Sequence, residues 1–267
     1  MRVALAQLPI EGGAVAANTD RAVDAIADAA DRGADLVVLP EIFNVGYFAF
    51  DSYARQAEPL DGETLTRVRG AARDHGVGVL AGSIVEDLDA TTAAETPTES
   101  GLANTSVLFD RDGERLLVYR KHHLFGYGSA EQELLTPGER LPTAEFGGFT
   151  IAPSTCYDLR FPELYREQAE AGATLFVVPS AWPYPRVEHW GLLPRARAVE
   201  NQAYVAAANG VGTFEDAELL GRSTVYDPWG TTLAGSDDDP TLVTAEVDPE
   251  RVAAVREEFP AWRDRRR

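Results

Sequence analysis

The chain has 267 residues, of which 45% are hydrophobic, and its formal net charge at pH 7 is −19. The apolar fraction is sufficient for a folded core, whereas the negative charge argues against a nucleic-acid partner, whose phosphates would be repelled. No run approaches the ~18 apolar residues of a membrane span, and the first residues lack a signal-peptide pattern. With one cysteine as well, the sequence predicts a cytoplasmic protein with no membrane partner. This length predicts a single domain over residues 1–267.

The balance of charged residues predicts a salt-adapted, halophilic surface. The chain has 43 acidic and 24 basic residues, and Lys121 is the only lysine among the basic ones. Since arginine has replaced lysine elsewhere, its retention here indicates a site that requires a compact ammonium rather than a guanidinium fork. Cys156 is the only cysteine, so it cannot form an intramolecular disulfide, and any role it has is that of a thiol.

Strands and helices alternate along the first part of the chain. Residues 3–8 predict a buried strand, and Asn18 is expected to cap a helix with apolar positions at 22, 23, 26 and 30 that ends near Gly33. The next expected elements are a strand at 35–39, an amphipathic helix at 63–75, and strands at 76–85 and 105–109. The intervening segment 86–103 is rich in Asp, Glu, Thr and Ala, and it predicts an acidic surface loop.

The second part repeats this plan. Residues 149–156 predict a strand, and a helix at 162–171 begins at a proline, where the missing N–H is harmless. The sequence GATLFVVPS at 172–180 then echoes GADLVVLPE at 33–41. The remaining expected elements are a helix at 192–203, strands at 204–209, near 223–226 and near 242–247, and a closing helix at 251–259.

These elements predict an α/β fold with two similar halves, each made of strands and two helices. If both helices of a half lie on one side of its strands, the two halves can stack sheet to sheet as a four-layer α-β-β-α sandwich. A single open sheet with helices on both faces fits the same pattern. Both architectures therefore remain open at this point.

Glu41 and Cys156 each lie at the carboxyl end of a predicted strand, where α/β sheets place their ligands. A thiol is mostly protonated at neutral pH, but a nearby carboxylate can take its proton and a nearby cation can stabilise the thiolate. The cation, Lys121, could also hold the oxyanion formed when sulfur attacks a carbonyl or nitrile carbon. Taken singly, these residues could be a turn carboxylate, a buried thiol and a solvated charge. Together they predict a nucleophile, a base and an electrophilic group.

Other kinds of chemistry have little support in the sequence. The four histidines share no spacing with further cysteine or carboxylate groups, so no metal site is expected. No glycine-rich phosphate loop follows a predicted strand, so nucleotide binding has no local support either.

Four motifs, in this order, resemble the nitrilase superfamily of carbon–nitrogen hydrolases over essentially the whole chain. They are Leu-Pro-Glu41 followed by Phe43 and Gly46-Tyr47, then Tyr119-Arg-Lys121, then Cys156-Tyr-Asp-Leu-Arg-Phe-Pro-Glu163-Leu, and finally Arg195-Ala-Arg197-Ala-Val-Glu200-Asn-Gln. The resemblance implies the α-β-β-α sandwich. It also implies a homodimer that pairs sandwich to sandwich, or a larger homo-oligomer, and no metal or organic cofactor.

The resemblance assigns roles by position. It implies that Cys156 is the nucleophile, Glu41 the general base and Lys121 the oxyanion stabiliser, with the backbone N–H of Tyr157 as a second oxyanion donor. Family members also carry a second catalytic glutamate before a Pro-Gly turn. In this chain that residue corresponds to Glu131, with Glu133 as the neighbouring alternative.

The residues after the cysteine resemble the amidase side of the superfamily, especially omega-amidase-like members that act on small ω-amides of dicarboxylic acids. True nitrilases usually place Trp-Glu there instead. The expected substrate-binding residues are Tyr47, Tyr157, Trp182 and Arg160, with Phe48 as a further aromatic candidate. Arg160 and Arg186 are the candidates for a substrate's distal carboxylate, although Arg160 could equally form a structural ion pair.

The sequence therefore predicts a thiol-dependent hydrolase that releases ammonia from a small-molecule amide through a cysteine thioester, without a cofactor. The alternative enzyme is a nitrilase or N-carbamoyl hydrolase with the same Glu-Lys-Cys site. A non-catalytic acidic interaction protein that kept the fold is a more remote alternative, which a retained lone lysine disfavours.

Overall fold

The computed structural model describes residues 1–215 and 217–266. The first half of the chain forms the elements β1 (Arg2–Gln7), α1 (Val15–Asp31), β2 (Leu36–Val38), α2 (Tyr53–Gln56), α3 (Glu63–His75), β3 (Gly78–Leu80), β4 (Ile84–Asp87), β5 (Leu102–Phe109), β6 (Arg115–Arg120) and α4 (Glu131–Leu134).

The second half begins with β7 and returns to the first sheet at its end. Its elements are β7 (Ala144–Phe146), β8 (Phe149–Pro153), α5 (Pro162–Glu170), β9 (Leu175–Ser180), α6 (Val187–Asn201), β10 (Tyr204–Asn209), β11 (Val211–Phe214), β12 (Ala217–Leu220), β13 (Thr224–Tyr226), β14 (Thr232–Gly235), β15 (Thr241–Glu246) and α7 (Pro249–Glu258). In the described part of the chain, no helix is both long enough and apolar enough to cross a membrane.

The strands form two large sheets and a small hairpin. One sheet has the order β15-β1-β2-β3-β5-β4, with β6 also paired to β5, and the other has the order β14-β13-β10-β9-β8-β7. Strands β1, β2 and β3 are parallel to one another, as are β8, β9 and β10. Each sheet thus has three parallel strands at its centre, in agreement with the sequence echo between the halves.

The alternation of side chains along the strands builds four layers. Val3 and Leu36 on one sheet pack in the same core cluster as Ile151 and Val177 on the other, so these faces meet. The opposite face of the first sheet packs against α1 and α3, and that of the second sheet packs against α5 and α6. This arrangement is the four-layer α-β-β-α sandwich, so the single open sheet is excluded.

The start of α1 differs from its prediction. Asn18 does not cap the helix, which begins at Val15. Its buried amide instead donates to the carbonyls of Glu11, at 2.7 Å, and of Asn44, at 2.8 Å, and thereby ties the helix to the preceding loop and to the loop after Glu41. The backbone carbonyls that Asn18 binds are therefore outside the helix rather than at its first turn.

The predicted strand at 76–85 is two strands, β3 and β4, because the chain bends at Gly82. This glycine has φ +33°, and a Cβ there would lie 1.9 Å from the carbonyl oxygen of Pro40, so no other residue fits without a shift. The predicted loop at 86–103 is also shorter, since Glu86 belongs to β4 and Ala103 to β5. Both residues are buried.

Three further boundaries were predicted wrongly. Strand β8 ends at Pro153, before Cys156. Helix α6 begins at Val187 and contains Pro194 within it, whereas the prediction began at residue 192. Helix α7 begins at Pro249, where the carboxylate of Asp248 accepts the N–H of Glu250 and caps the first turn.

Candidate active site

The three residues that the sequence singled out come together between the two sheets. Glu41 follows β2 and accepts the N–H of Ala181, which follows β9, at 2.9 Å on Oε2. Lys121 directly follows β6, and its backbone N–H donates to the carbonyl of Asn104 on β5 at 2.8 Å. Cys156 follows β8 of the second sheet. The two halves of the chain therefore supply different parts of one site.

Lys121 is the centre of the charged cluster, and its side chain has no exposed surface. Its Nζ lies 2.8 Å from Oε1 of Glu41, and 2.8 Å and 2.9 Å from Oε1 and Oε2 of Glu131. The aromatic ring of Tyr47 covers the ammonium, with 5.3 Å between Nζ and the ring centroid. A buried ammonium shared by two carboxylates carries its charge without water.

The structure distinguishes between the two candidates for the second glutamate. Glu131 is fully buried, and its Oε2 also accepts the backbone N–H of Phe125, at 2.7 Å, and the hydroxyl of Tyr47, at 3.1 Å. Glu133, two residues further on in the same short helix, is exposed. Glu131 therefore joins the loop that begins at Phe125 to Lys121, whereas Glu133 lies outside the cluster.

Cys156 begins a short 3₁₀ helix, Cys156–Arg160, with φ +45°. This left-handed conformation is uncommon outside glycine and turns the residue away from the strand that precedes it. The buried carboxylate of Asp158 holds the turn, since it accepts the N–H groups of Thr155 and His123, both at 2.9 Å, and the hydroxyl of Tyr119. The N–H of Tyr157 belongs to the first turn, where backbone donors have no intrahelical partner.

The thiol of Cys156 lies close enough to Glu41 for the carboxylate charge to act on it. Burial and the negative charge of Glu41 raise the pKa of the Cys156 thiol well above its ordinary value, although the ammonium of Lys121 opposes this. Burial also raises the pKa of Glu41, against the effect of Lys121. The raised pKa keeps the Cys156 thiol protonated in the resting site.

The ammonium remains charged in this site. Burial alone would lower the pKa of Lys121, but the negative charges of Glu131 and Glu41 outweigh burial and raise it well above its ordinary value. The site can thus offer a permanent positive charge to an oxyanion at any pH near neutrality.

A small pocket opens onto Cys156 and Lys121. Its wall is mainly aromatic, and the predicted substrate-binding residues contribute to it. The lining residues besides these two are Tyr47, Phe48, Phe125, Tyr157, Arg160, Trp182, Pro183 and Arg186. Tyr47 contributes its ring, because its hydroxyl is engaged by Glu131 and Ser129. An aromatic wall with few polar groups is typical of a small-molecule site.

Two guanidinium groups stand on this wall. Arg160 lies over the ring of Trp182, at 5.0 Å from its centroid, and its Nη2 is 3.2 Å from Nδ1 of His189. Arg186 lies over the ring of Phe125 at 5.3 Å. Among the described residues, neither arginine has a carboxylate within 4.0 Å, so Arg160 does not form the structural ion pair that the sequence left open.

Sequence reasoning missed several groups in the site. Asn104 donates to both Glu41 and Glu131, the N–H of Ala181 donates to Glu41, and that of Phe125 donates to Glu131. Asn104 directly precedes the predicted strand at 105–109, and a polar side chain at that point was the available signal. Nearly every residue has a backbone N–H, so the residue types at 125 and 181 could not indicate that these groups bind the carboxylates. In the described chain, no group of three or more His, Cys, Asp or Glu side chains could hold a metal ion.

Comparison with known proteins agrees with this geometry. The chain matches the carbon–nitrogen hydrolase family over residues 2–257. It is 38% identical to 2-oxoglutaramate amidase of Paenarthrobacter nicotinovorans over 238 residues, 87% of this chain and 79% of that protein. It is 34% identical to the human omega-amidase NIT2 over 274 residues, 99% of this chain and 95% of that protein.

Solved structures give the same result. Saccharomyces cerevisiae Nit3, a member of branch 10 of the nitrilase superfamily, superposes with a TM-score of 0.88 at 32% identity, covering 100% of this chain and 97% of that chain. An amidase from Nesterenkonia sp. AN1, solved after Michael addition of acrylamide at its active-site cysteine, has a TM-score of 0.81 at 32% identity, covering 97% of this chain and 98% of that chain. With a family match along nearly its whole length, relatives above 30% identity and a shared fold, this chain belongs to the carbon–nitrogen hydrolase family as an amidase-type enzyme of the nitrilase superfamily.

Proposed function

We propose that this enzyme hydrolyses small linear amides to carboxylic acids and ammonia through a thioester on Cys156. The observation that supports this most directly is that the thiol of Cys156 and the ammonium of Lys121 line one pocket, where Lys121 holds Oε1 of Glu41 at 2.8 Å. A thiol, a base and a fixed cation are thereby placed around one pocket. The proposed catalytic residues are Cys156, Glu41, Lys121 and Glu131.

In the first step, Sγ of Cys156 attacks the amide carbonyl carbon while Glu41 takes the thiol proton on Oε2. Negative charge moves to the carbonyl oxygen, which lies between the ammonium of Lys121 and the N–H of Tyr157. Nζ is 2.8 Å and 2.9 Å from the two oxygens of Glu131, so one N–H can serve both of them. That leaves one of its three donors for the oxyanion.

The carbon–nitrogen bond then breaks, and the proton on Glu41 passes to the departing nitrogen, which leaves as ammonia. A water molecule replaces it, gives a proton to Glu41, and attacks the thioester carbon. When the carbon–sulfur bond breaks, Glu41 returns its proton to sulfur and the acid is released. Atoms and charge balance without any cofactor, and Glu131 keeps Lys121 in place throughout.

The proposed substrates carry a carboxylate at the end distant from the amide. Arg160 and Arg186 supply positive charge on a pocket wall where neither has a carboxylate partner among the described residues. A hydrogen bond to a charged group contributes about 1.5–3 kcal/mol. We therefore expect Arg186→Met to raise KM for glutaramate, the monoamide of glutaric acid, by about tenfold or more, since 1.4 kcal/mol is a factor of ten.

Pentanamide, a neutral amide of the same length, is the control for the Arg186→Met variant. Its KM should change little, because it has no carboxylate to lose contact with. An equal rise of KM for both amides would show that Arg186 shapes the pocket rather than selects a charge.

The experiment that tests the function is a substrate panel with ammonia release as the measurement. It compares glutaramate with 4-cyanobutyrate, its matched nitrile, and with N-carbamoyl amino acids, using Cys156→Ala as the background control. We expect kcat/KM for the amide to exceed that for the nitrile more than tenfold, about 1.4 kcal/mol of transition-state binding. Equal or better hydrolysis of the nitrile or the carbamoyl compounds would favour the alternative enzyme. A folded protein inactive on the whole panel would favour the non-catalytic interaction protein.

We further propose that the enzyme works as a homodimer or larger homo-oligomer in a saline cytoplasm. The apolar side chains Leu192 and Val199 are 62% and 50% exposed on α6, which supports self-association through this helix. Light scattering after size-exclusion chromatography tests the assembly. Leu192→Asp should shift it towards the monomer, and a monomeric wild-type protein would contradict the proposal.

A further inference from the structure

Asn104 closes a ring of hydrogen bonds inside the site. Its Nδ2 donates to Oε1 of Glu41 at 2.9 Å and to Oε1 of Glu131 at 3.1 Å. The same two oxygens accept from Nζ of Lys121, each at 2.8 Å. Two donors and two acceptors therefore alternate around a closed cycle. Because both partners of Asn104 are carboxylate oxygens, its amide nitrogen must be the atom that faces them.

We propose that Asn104 is a positioning residue that fixes which oxygen of Glu41 exchanges the catalytic proton, an inference that rests on the proposed function. Oε1 of Glu41 already accepts from Lys121 and Asn104. Among the described residues, Oε2 accepts only the N–H of Ala181, at 2.9 Å, and so keeps a free lone pair. With Oε1 fully engaged, Oε2 is the oxygen that receives the thiol proton. Because the Asn104 amide is uncharged, it orients Glu41 without adding a charge next to it. The charges that act on Glu41 in the ring remain those of Lys121 and Glu131.

The strands place Asn104 in register with the lysine. The N–H of Lys121 donates to the carbonyl of Asn104 at 2.8 Å, so the two side chains leave adjacent strands side by side. The next residues along these strands, Thr105 and Arg120, are a register pair and both bind the buried Glu86, at 2.6 Å and 2.7 Å. This second contact, on Glu86, holds β5 and β6 together beside the ring.

An uncharged donor is required at this position because the cluster already contains two carboxylates and one ammonium. Asparagine and aspartic acid have nearly the same shape, but an ionised aspartate in an Asn104→Asp variant would add a third negative charge next to Glu41 and Glu131. Its carboxyl group could donate only when protonated. The other titratable groups that face the ring are Cys156 and Tyr47, and Arg120 on β6 and Glu86 on β4 lie beside it.

Two substitutions test this role. Asn104→Ala removes the ring, and we expect kcat to fall on the order of 10²-fold, as for a misplaced catalytic group, with KM changed much less. Asn104→Asp should keep activity only at acidic pH, so that its optimum of kcat/KM shifts below that of the wild type. Asn44→Ala is the matched control, since Asn44 is equally buried but its amide bonds to Thr64 and to the N–H of Val45.

The rate at which iodoacetamide alkylates Cys156 is a second measurement, and it needs no knowledge of the substrate. We expect alkylation at pH 7 to be slower in both Asn104 variants than in the wild type and in the Asn44→Ala control. If the alanine variant does not fold, the aspartate variant carries the test alone. Wild-type alkylation and unshifted pH profiles in folded Asn104 variants would overturn the proposal. Failure of the proposed function would appear differently, as a wild-type enzyme that releases no ammonia while its alkylation still depends on Asn104.

Discussion

Replacing Lys121 by arginine separates the charge of the active site from its shape. The ammonium makes contacts of 2.8, 2.8 and 2.9 Å with two carboxylates, and its side chain has no exposed surface. A guanidinium keeps the charge but is planar and larger. Overpacking of this kind costs about 1–3 kcal/mol of stability, and the carboxylates would still be paired. The variant should therefore fold with a lowered melting temperature.

In the Lys121→Arg variant, catalysis should decrease more than stability. The donor that meets the oxyanion would be displaced, and loss of one such donor costs on the order of 10²–10³ in kcat, about 2.7–4 kcal/mol. Lys121→Met is the comparison, because it leaves Glu41 and Glu131 buried without a cation, at a cost of about 3–5 kcal/mol. Ammonia release and thermal unfolding of both variants give the two quantities separately. If Lys121→Arg kept most of the wild-type kcat, the argument for a compact ammonium would be wrong.

Three further predictions concern the nucleophile, salt and pH. Cys156→Ala should abolish turnover and leave the circular dichroism spectrum unchanged, and near-wild-type turnover in the folded variant would rule out the thioester. With 43 acidic and 24 basic residues, the melting temperature should rise steeply with potassium chloride, since the screening length falls from ~30 Å at 0.01 M to ~3 Å at 1 M; a flat curve would remove the halophilic interpretation. Because burial and the charge of Glu131 raise the pKa of Glu41 above 4.5, the acid limb of kcat/KM should lie above that pH, as protonated Glu41 cannot accept the thiol proton. Glu131→Gln should move the limb downwards, and a limb that stayed in place would exclude coupling between the two carboxylates.

The sequence allowed the main catalytic candidates to be named because their chemistry depends on residue type. Lys121 and Cys156 are each the only residue of their kind, and Glu41 and Cys156 follow predicted strands whose ends meet in the fold. The echo between residues 33–41 and 172–180 likewise predicted two similar halves. The choice of a sandwich over one open sheet depended on which faces of the strands pack together, and the pattern of elements does not contain that information.

Other parts of the site depend on contacts that a linear pattern does not reveal. Asn104 was missed because its role comes from two carboxylates that are distant in sequence. Strand β6, which directly precedes Lys121, was not predicted, because its first residues, Arg115 and Leu116, are exposed. The bend at Gly82 is set by the approach of Pro40, a contact between separate strands.

The division of the site between the two halves has a consequence for when the enzyme becomes reactive. Glu41, Lys121 and Glu131 come from the first half, whereas Cys156 and the N–H of Ala181 that orients the base come from the second. The last strand, β15, returns to pair with β1 along its whole length, so the ends of the chain fasten the two halves together. A nascent or partly unfolded chain thus holds Cys156 apart from Glu41 and Lys121, and the proposed reaction can begin only after both sheets have met.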